Sequence, residues 1–438
     1  MLVHCLASSI FAQNNYMNIL LLGSGGREHA FAWKITQSPL CHKLFIAPGN
    51  PGTASCGTNV NIGINDFAAQ EKFCLENNIS LIVVGPEEPL VNGVYDYFQQ
   101  KYPDGKISVI GPSKTAAQLE GSKSFAKEFM LRHHIPTAAY REFNSQTLEE
   151  GIQYIATQQP PIVLKADGLA AGKGVVICST IAEAQNELRD MIGNERFGKA
   201  SATVVIEQFL SGIEFSVFVL TDGNSYKILP EAKDYKRIGE ADTGLNTGGM
   251  GAISPVPFLD SELMQKVELQ VIKPTIAGLK QENITYKGFI YFGLIKVENN
   301  PFVIEYNCRM GDPETEIVMP RLKSDLVPLL QATANESLQK EKIEIDNRAA
   351  ATVIVASGGY PGDYPKGLPI HLPTKSASII FHAGTKQSES ELVTNGGRVL
   401  AVTSLETHLK DAVKTSLTTI QEIQFEGMYY RRDIGWEF

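Results

Sequence analysis

Hydrophobic positions in the first third of the chain come as short continuous runs: Asn18-Ile-Leu-Leu-Leu22, Leu44-Phe-Ile-Ala47, Leu81-Ile-Val-Val84 and Ser108-Val-Ile110. Runs of this length bounded by turn residues mark strands covered on both faces. Each ends in a Gly/Pro turn, at Gly23-Ser-Gly-Gly26, Pro48-Gly-Asn-Pro-Gly52, Gly85-Pro-Glu-Glu-Pro89 and Gly111-Pro112. Helix-like segments lie between, the first running through Lys34. Strand, turn and helix in repetition predict an α/β fold with an open parallel sheet, in which ligands sit at the carboxyl ends of the strands.

After Ser113 the pattern changes. A helix carries Lys114, Lys123 and Lys127 and ends at His134-Ile-Pro136. Pro160-Pro161 opens a strand at 162–165, and from there to about Ser211 the chain reads as a compact module of two strands and two helices. Further strands are predicted at 204–207, 215–220, 289–297 and 302–306. Near Lys342 the pattern restarts, with 349–356, the turn Gly358-Gly-Tyr-Pro-Gly362, a strand around 377–381 and another at 399–402.

At 438 residues the chain is too long for one ordinary core, and length alone suggests about three domains. A net charge of −9 argues against a nucleic-acid or anionic-membrane surface, so an anionic substrate must be held by local Lys, Arg and backbone amides. Six cysteines without a C-x-x-C pair fit reduced thiols in a cytoplasmic protein better than a zinc site or a disulfide frame. No apolar run approaches the ~20 residues of a membrane span. Residues 1–16 lack the Lys or Arg of a signal peptide, and Met17 directly precedes the first strand. They read as a leader extension outside the fold.

The most informative stretch is Ile304-Glu-Tyr-Asn-Cys-Arg-Met-Gly-Asp-Pro-Glu314. Side chains two apart on a strand share a face, so Glu305 and Asn307 project together at its end. Two hard oxygen donors there can hold Mg²⁺, which keeps its other positions for water and phosphate oxygens. Arg309, one step further, is placed to grip a carboxylate or phosphate. By itself the stretch also reads as a strand ending in a polar turn.

Phosphate-binding elements add to it. In Lys165-Ala-Asp-Gly-Leu-Ala-Ala-Gly-Lys-Gly174 a strand-end lysine precedes a glycine loop, with Gly172 and Gly174, suited to fold over a nucleotide triphosphate. The spacing is not that of a P-loop, because Lys173 is followed by Gly174. Glu207 and Leu210 lie where a strand runs into an open linker that offers backbone groups to an adenine edge, and Glu214 stands where it can accept from ribose hydroxyls. Asp234-Tyr-Lys-Arg237 leads to a glycine-rich run from Asp242 through Asn246, Gly248 and Gly249 to Gly251, suited to close over a small substrate and exclude water. Gly23-Ser-Gly-Gly26 invites a dinucleotide reading, but Glu28 stands where the third glycine belongs. A single phosphate fits Gly25 and Gly26 better.

Together these elements resemble the ATP-grasp ligases and, within them, the glycinamide ribonucleotide synthetase family. The likeness covers residues 17–438 and rests on G-S-G-G-R-E-H-A from Gly23, A-P-G-N-P-G-T from Ala47, V-G-P-E-E-P-L from Val84, Q-L-E-G-S-K from Gln118 and K-A-D-G-L-A-A-G-K-G-V from Lys165. N-T-G-G-M-G-A from Asn246, C-R-M-G-D-P-E from Cys308, V-T-N-G-G-R-V-L from Val393 and R-R-D-I-G-W from Arg431 complete it. It implies an open-sheet amino-terminal domain at 17–120, an ATP-grasp domain at 121–342 with a small lid at about 138–210, and a small α/β carboxyl-terminal domain at 343–438. The implied reaction joins glycine to 5-phosphoribosylamine with ATP, through glycyl phosphate, in a monomeric enzyme.

By matching position, the resemblance makes Lys127, Lys165, Glu207, Leu210, Glu214 and Arg237 ATP contacts, and Glu305 and Asn307 ligands of Mg²⁺ or Mn²⁺. Arg309 would orient glycine or its acyl phosphate, with Lys165 and Asp312 as further catalytic candidates. Asp234 and 246–251 would wall the acceptor site, and Gly25, Gly26 and Asn50 would meet the ribose phosphate. Two departures stand out: Met310 replaces the usual Leu or Phe, and Tyr291-Phe-Gly-Leu-Ile295 supplies no further metal carboxylate. Another ATP-grasp enzyme, a nicotinamide-dependent dehydrogenase and a nucleotide sensor without turnover are the competing readings.

Overall fold

The computed structural model describes residues 16–168, 174–194, 196, 198 and 202–438. The apolar runs of the first third form parallel strands in the order Thr58–Asn59, Cys41–Pro48, Met17–Gly23, Ile79–Val84 and Ser108–Pro112. Ile19, Leu20, Leu21 and Leu22 are all fully buried, as a strand covered on both faces requires. Leu22 is level with both Ala47 and Val84, so the Gly/Pro turns line up along one edge of the sheet.

This sheet does not stop at the amino-terminal segment. Pro112 and Gly111 pair with Tyr286 and Lys287 of the long strand Tyr286–Val297. Through it the sheet continues antiparallel into Ile213–Thr221 and Tyr226–Ile228, while Asn300–Asn307 pairs with the same long strand, giving nine strands in all.

The module before Ser211 has four strands where the sequence pattern predicts two. Tyr140–Asn144, Thr203–Gln208, Ile162–Ala166 and Val175–Cys178 form an antiparallel sheet in that order. Helices Leu148–Ala156 and Ile181–Gly193 share a core with Ile162, Leu164, Val204 and Ile206. Strand alternation therefore turns Lys165 and Glu207 to the opposite face, away from the helices.

The carboxyl-terminal sheet draws on the central segment. Its order is Lys233–Asp234, Gly251–Ser254, Ala349–Ala356, Arg398–Glu406 and Ile379–His382, all antiparallel. Helix Thr315–Arg321 packs between this sheet and helix Gly26–Ile35. That packing brings the first glycine turn, the turn before Thr315 and the carboxyl-terminal domain to one place. Among the described residues no helix is long and apolar enough to cross a membrane.

Candidate active site

Beneath the lid three buried charges meet. Lys165 Nζ lies 2.9 Å from Glu207 Oε2, and Lys127 Nζ lies 3.3 Å from Glu207 Oε1. Lys127 belongs to helix Lys123–Arg132, capped by the Ser122 hydroxyl, and its ammonium also donates to Thr137 Oγ1 at 2.8 Å. Lys165 Nζ donates to the carbonyl of Ile304 at 3.3 Å, which ties the lid to the strand that carries Glu305. Two cations on one carboxylate leave surplus positive charge out of water, a costly arrangement without an anion to complete it. Burial accordingly pulls the Lys127 ammonium down to about 8, against the opposing pull of Glu207. Burial also lowers Lys123, on the first turn of the same helix, despite the charge of Glu305 nearby.

Glu305 and Asn307 stand at the end of Asn300–Asn307 with buried Tyr306 between them, so both face away from the core. Gly293 lies opposite Glu305 across the pair, and a Cβ there would come within 3.1 Å of Glu305 Cγ. Glycine there spares the Glu305 side chain a tight contact. Among the described residues no group of three or more His, Cys, Asp or Glu is placed to hold a metal ion. Glu305 and Asn307 carry hard oxygen donors of the kind Mg²⁺ takes.

Arg309 turns toward the amino-terminal domain. Its Nη2 lies 2.8 Å from Glu120 Oε1 and its Nε 3.4 Å from Glu87 Oε2. Glu120 also accepts from the backbone N–H of Cys308 at 2.8 Å, so one buried carboxylate fixes both the turn and the guanidinium. The sequence does not single out Glu120, because a carboxylate in a four-residue helix carries no local signal of the arginine it will meet.

Two adjoining cavities open where the domains converge. One of about 440 Å³ is lined by Gly23–Gly25, Arg27, Glu28, Pro86 and Asp312; the other, about 480 Å³, by Asn50, Asp312, Tyr360, Asn395 and Arg398 among others. Arg398 Nη2 pairs with Asp312 Oδ1 at 2.8 Å, while Nη1 donates to the carbonyls of Asp312 at 2.7 Å and Gly248 at 2.6 Å. Nothing local to Arg398 in the sequence signals these partners. It joins the Asp312 turn to the glycine-rich loop from the far domain. Glu314, two residues on, is buried, accepts from Tyr291 Oη at 3.0 Å, and is held above the usual carboxylate range by burial and then by Asp234.

Several predicted residues sit otherwise than the pattern suggests. Gly25 donates its N–H to Glu28 Oε2 at 2.5 Å, so the carboxylate in the third-glycine position already occupies the helix start. Gly26 lies where a Cβ would meet Glu316 Oε1 at 2.3 Å, which makes it a packing glycine. The Asn50 amide is spent inside the protein, donating to Ser24 O and His382 O at 2.8 Å each and accepting from Gly52 N at 2.8 Å. The same residue lines the second cavity.

Gly251 packs against Ile434 and the Thr352 carbonyl in the carboxyl-terminal sheet. Arg237 donates to Gly244 O at 2.8 Å within its own hairpin, opposite exposed Asn246, and has no ion-pair partner in the lysine cluster. Lys236 joins Glu214 at 2.6 Å to Asp234 at 3.5 Å. Leu210 lies half-buried in the linker after Thr203–Gln208, Gly174 accepts from Ala166 N at 2.8 Å, and Gly172 falls outside the described residues.

A lid sheet that presents Lys165 and Glu207 on one face, with Lys165 bonded to the Ile304 carbonyl of the body strand, is the arrangement of an ATP-grasp protein. Comparison with known proteins narrows the class. The chain belongs to the phosphoribosylglycinamide synthetase family: the models for its N domain, ATP-grasp (A) domain and C domain match residues 17–120, 121–315 and 350–437. It is 48% identical over 426 residues to the phosphoribosylamine–glycine ligase of Haemophilus influenzae, covering 96% of this chain and 98% of that one. The crystal structure of phosphoribosylamine–glycine ligase from Thermotoga maritima superposes with a TM-score of 0.84 at 34% identity, over 95% of this chain and 100% of that one. A biotin carboxylase domain from Hydrogenobacter thermophilus shares the fold, with a TM-score of 0.72 at 17% identity over 96% of this chain and 92% of that one.

Proposed function

We infer that this chain is an ATP-dependent ligase of purine biosynthesis, joining glycine to 5-phosphoribosylamine with release of ADP and phosphate. The observation that carries the reading is the buried Lys127–Glu207–Lys165 cluster, whose surplus positive charge suits a nucleotide triphosphate. Family membership and the names of the relatives supply the other two substrates.

A carboxylate is a poor electrophile, so glycine must first be activated. In the reaction we propose, a glycine carboxylate oxygen attacks the γ-phosphorus and the bond to the bridging oxygen breaks, releasing ADP and leaving glycyl phosphate. The amine of phosphoribosylamine then attacks the acyl carbon. The acyl C–O bond breaks, phosphate departs, and the amine loses its proton to phosphate or water. Phosphoryl transfer asks chiefly for positioning and charge neutralisation, which Lys127 and Lys165 supply. Arg309, oriented by Glu120 and Glu87, meets glycine or its acyl phosphate. Glu305 and Asn307 would hold a divalent cation, Mg²⁺ or Mn²⁺, which when bound neutralises phosphate-oxygen charge.

The acceptor fits the paired cavities beside Asp312, whose volumes of about 440 and 480 Å³ are ordinary for a small-molecule site. Asp234 and the 246–251 loop wall it on the side of the acyl phosphate. The reading includes a monomer in the cytoplasm without nucleic-acid or membrane partners; a sedimentation coefficient of a dimer contradicts the first part.

The intermediate is tested with glycine labelled by ¹⁸O in its carboxylate. Transfer of a single label into the released phosphate is the expected result. Unlabelled phosphate means that activation does not pass through an acyl phosphate.

A further inference from the structure

The closing motif R-R-D-I-G-W takes no part in the chemistry described above, yet it grips the segment that leads into the acceptor loop. Strands Arg237–Gly239 and Thr243–Asn246 form a two-stranded hairpin with no other sheet partner among the described residues, exposed from 240 to 246. Such a hairpin is marginal by itself. Its turn is also strained, since Ala241 and Asp242 both have φ of 52°, a left-handed conformation that residues other than glycine seldom adopt. Strain of this kind persists where neighbours over-determine it.

Among the described residues, the side-chain hydrogen bonds that reach the hairpin from outside come from the carboxyl-terminal segment. Ala241 N donates to Asp433 Oδ2 at 2.6 Å. Arg431, with no exposed surface, forks onto Asp433 through two contacts of 2.8 Å and reaches Asp242 Oδ1 at 2.6 Å. The same guanidinium donates to the carbonyl of Arg237 at 3.1 Å, and Tyr429 Oη donates to that of Ile238 at 2.8 Å. At the far end of the segment Arg398 holds the carbonyl of Gly248, and Gly248 N donates to Tyr360 Oη at 3.1 Å.

We propose that residues 429–433 are a clamp that sets the hairpin 237–246 over the acceptor site, with Arg431 as its positioning residue. Resting on the ligase reading, the inference adds that transfer to the acceptor is kept coupled to glycine activation through this clamp. A loop held at both ends keeps water from the acyl phosphate until the amine attacks; one released at its hairpin lets the intermediate hydrolyse, consuming ATP without product.

The test measures ADP and glycinamide ribonucleotide together in full-length wild type, Asp242→Ala and Arg431→Lys. Asp242 has an exposed side chain, so its removal spares the core, and lysine keeps the charge of Arg431 without its fork. The wild type should form product and ADP in equal amounts. Both variants should yield roughly half as much product per ADP or less, and release ADP about threefold faster with ATP and glycine alone. An unchanged ratio in both, whatever happens to total rate or thermal midpoint, assigns these contacts to fold stability and overturns the clamp. A wild type that forms no glycinamide ribonucleotide contradicts the ligase reading, and the clamp falls with it.

Discussion

Lys127 keeps 2% of its surface in contact with solvent and shares its counter-charge with Lys165. The folded protein without nucleotide therefore holds this proton less tightly than the unfolded chain does, with the ammonium at about 8 against an ordinary 10.5. Between those values the unfolded chain carries the extra proton, so stability contributed by this site rises with pH; below about 8 the penalty is fully present, roughly 3 kcal/mol. ATP affinity should run the other way. Calorimetric titration should give a steady Kd below pH 8 and weakening above it, by up to about tenfold per pH unit. Lys127→Met should separate the two effects, raising the thermal midpoint while weakening ATP binding at least about tenfold. A variant that binds ATP normally would remove Lys127 from the site. The resemblance picked out Lys127, Lys165 and Glu207 by position; that they share one buried carboxylate is a tertiary fact, because 127 and 165 lie on a helix and a lid strand that no local pattern relates.

At the scale of elements, the 246–251 loop is shaped by what packs on it. Gly249 has φ of 113°, and a Cβ there would lie 2.5 Å from Pro313 Cδ. Gly249→Ala should cost about 1–3 kcal/mol in urea unfolding and cut turnover by at least roughly tenfold, since strain and clash both move the loop off Asp312 and Arg398. Wild-type turnover would mean that the loop position is not critical. The strands of the first third were legible because their apolar runs are short and each ends in a Gly/Pro turn. Two lid strands were not: Tyr-Arg-Glu-Phe-Asn at 140–144 presents Phe143 alone to the lid core, and Val175–Cys178 is four residues long. At Gly25 the sequence hides a local hydrogen bond. Glycine spacing shows where backbone can approach a ligand, and not that the neighbouring Glu28 has already taken the N–H.

At the scale of the whole molecule, the amino-terminal domain is joined directly to the carboxyl-terminal domain. His29 Nδ1 accepts from the backbone N–H of His382 at 2.8 Å, and Phe381 packs edge-on to the same imidazole. Burial, and then the nearby His382, pushes His29 down to about 3; burial takes His382 down to about 4. Both stay neutral in the fold, so stability is complete above the ordinary value of 6.5 and is lost as acid protonates the unfolded chain. At pH 5 the loss at His29 is about 2 kcal/mol, and His29→Gln should flatten the fall of the thermal midpoint between pH 7 and 5. A slope unchanged by that substitution would place the acid lability elsewhere. Domain count was readable from length and pattern, but the shared sheets were not: antiparallel pairing of Pro112 with Tyr286, 174 positions away in sequence, leaves no trace in either strand. Family membership and the buried lysine cluster together support ATP-dependent ligation of glycine to phosphoribosylamine. The most direct test supplies MgATP to the wild-type protein with glycine and freshly generated phosphoribosylamine, separately and together, and follows ADP and glycinamide ribonucleotide. Product matching ADP, formed only when both are present, is the predicted result; ATP that binds without forming any glycinamide ribonucleotide would contradict it.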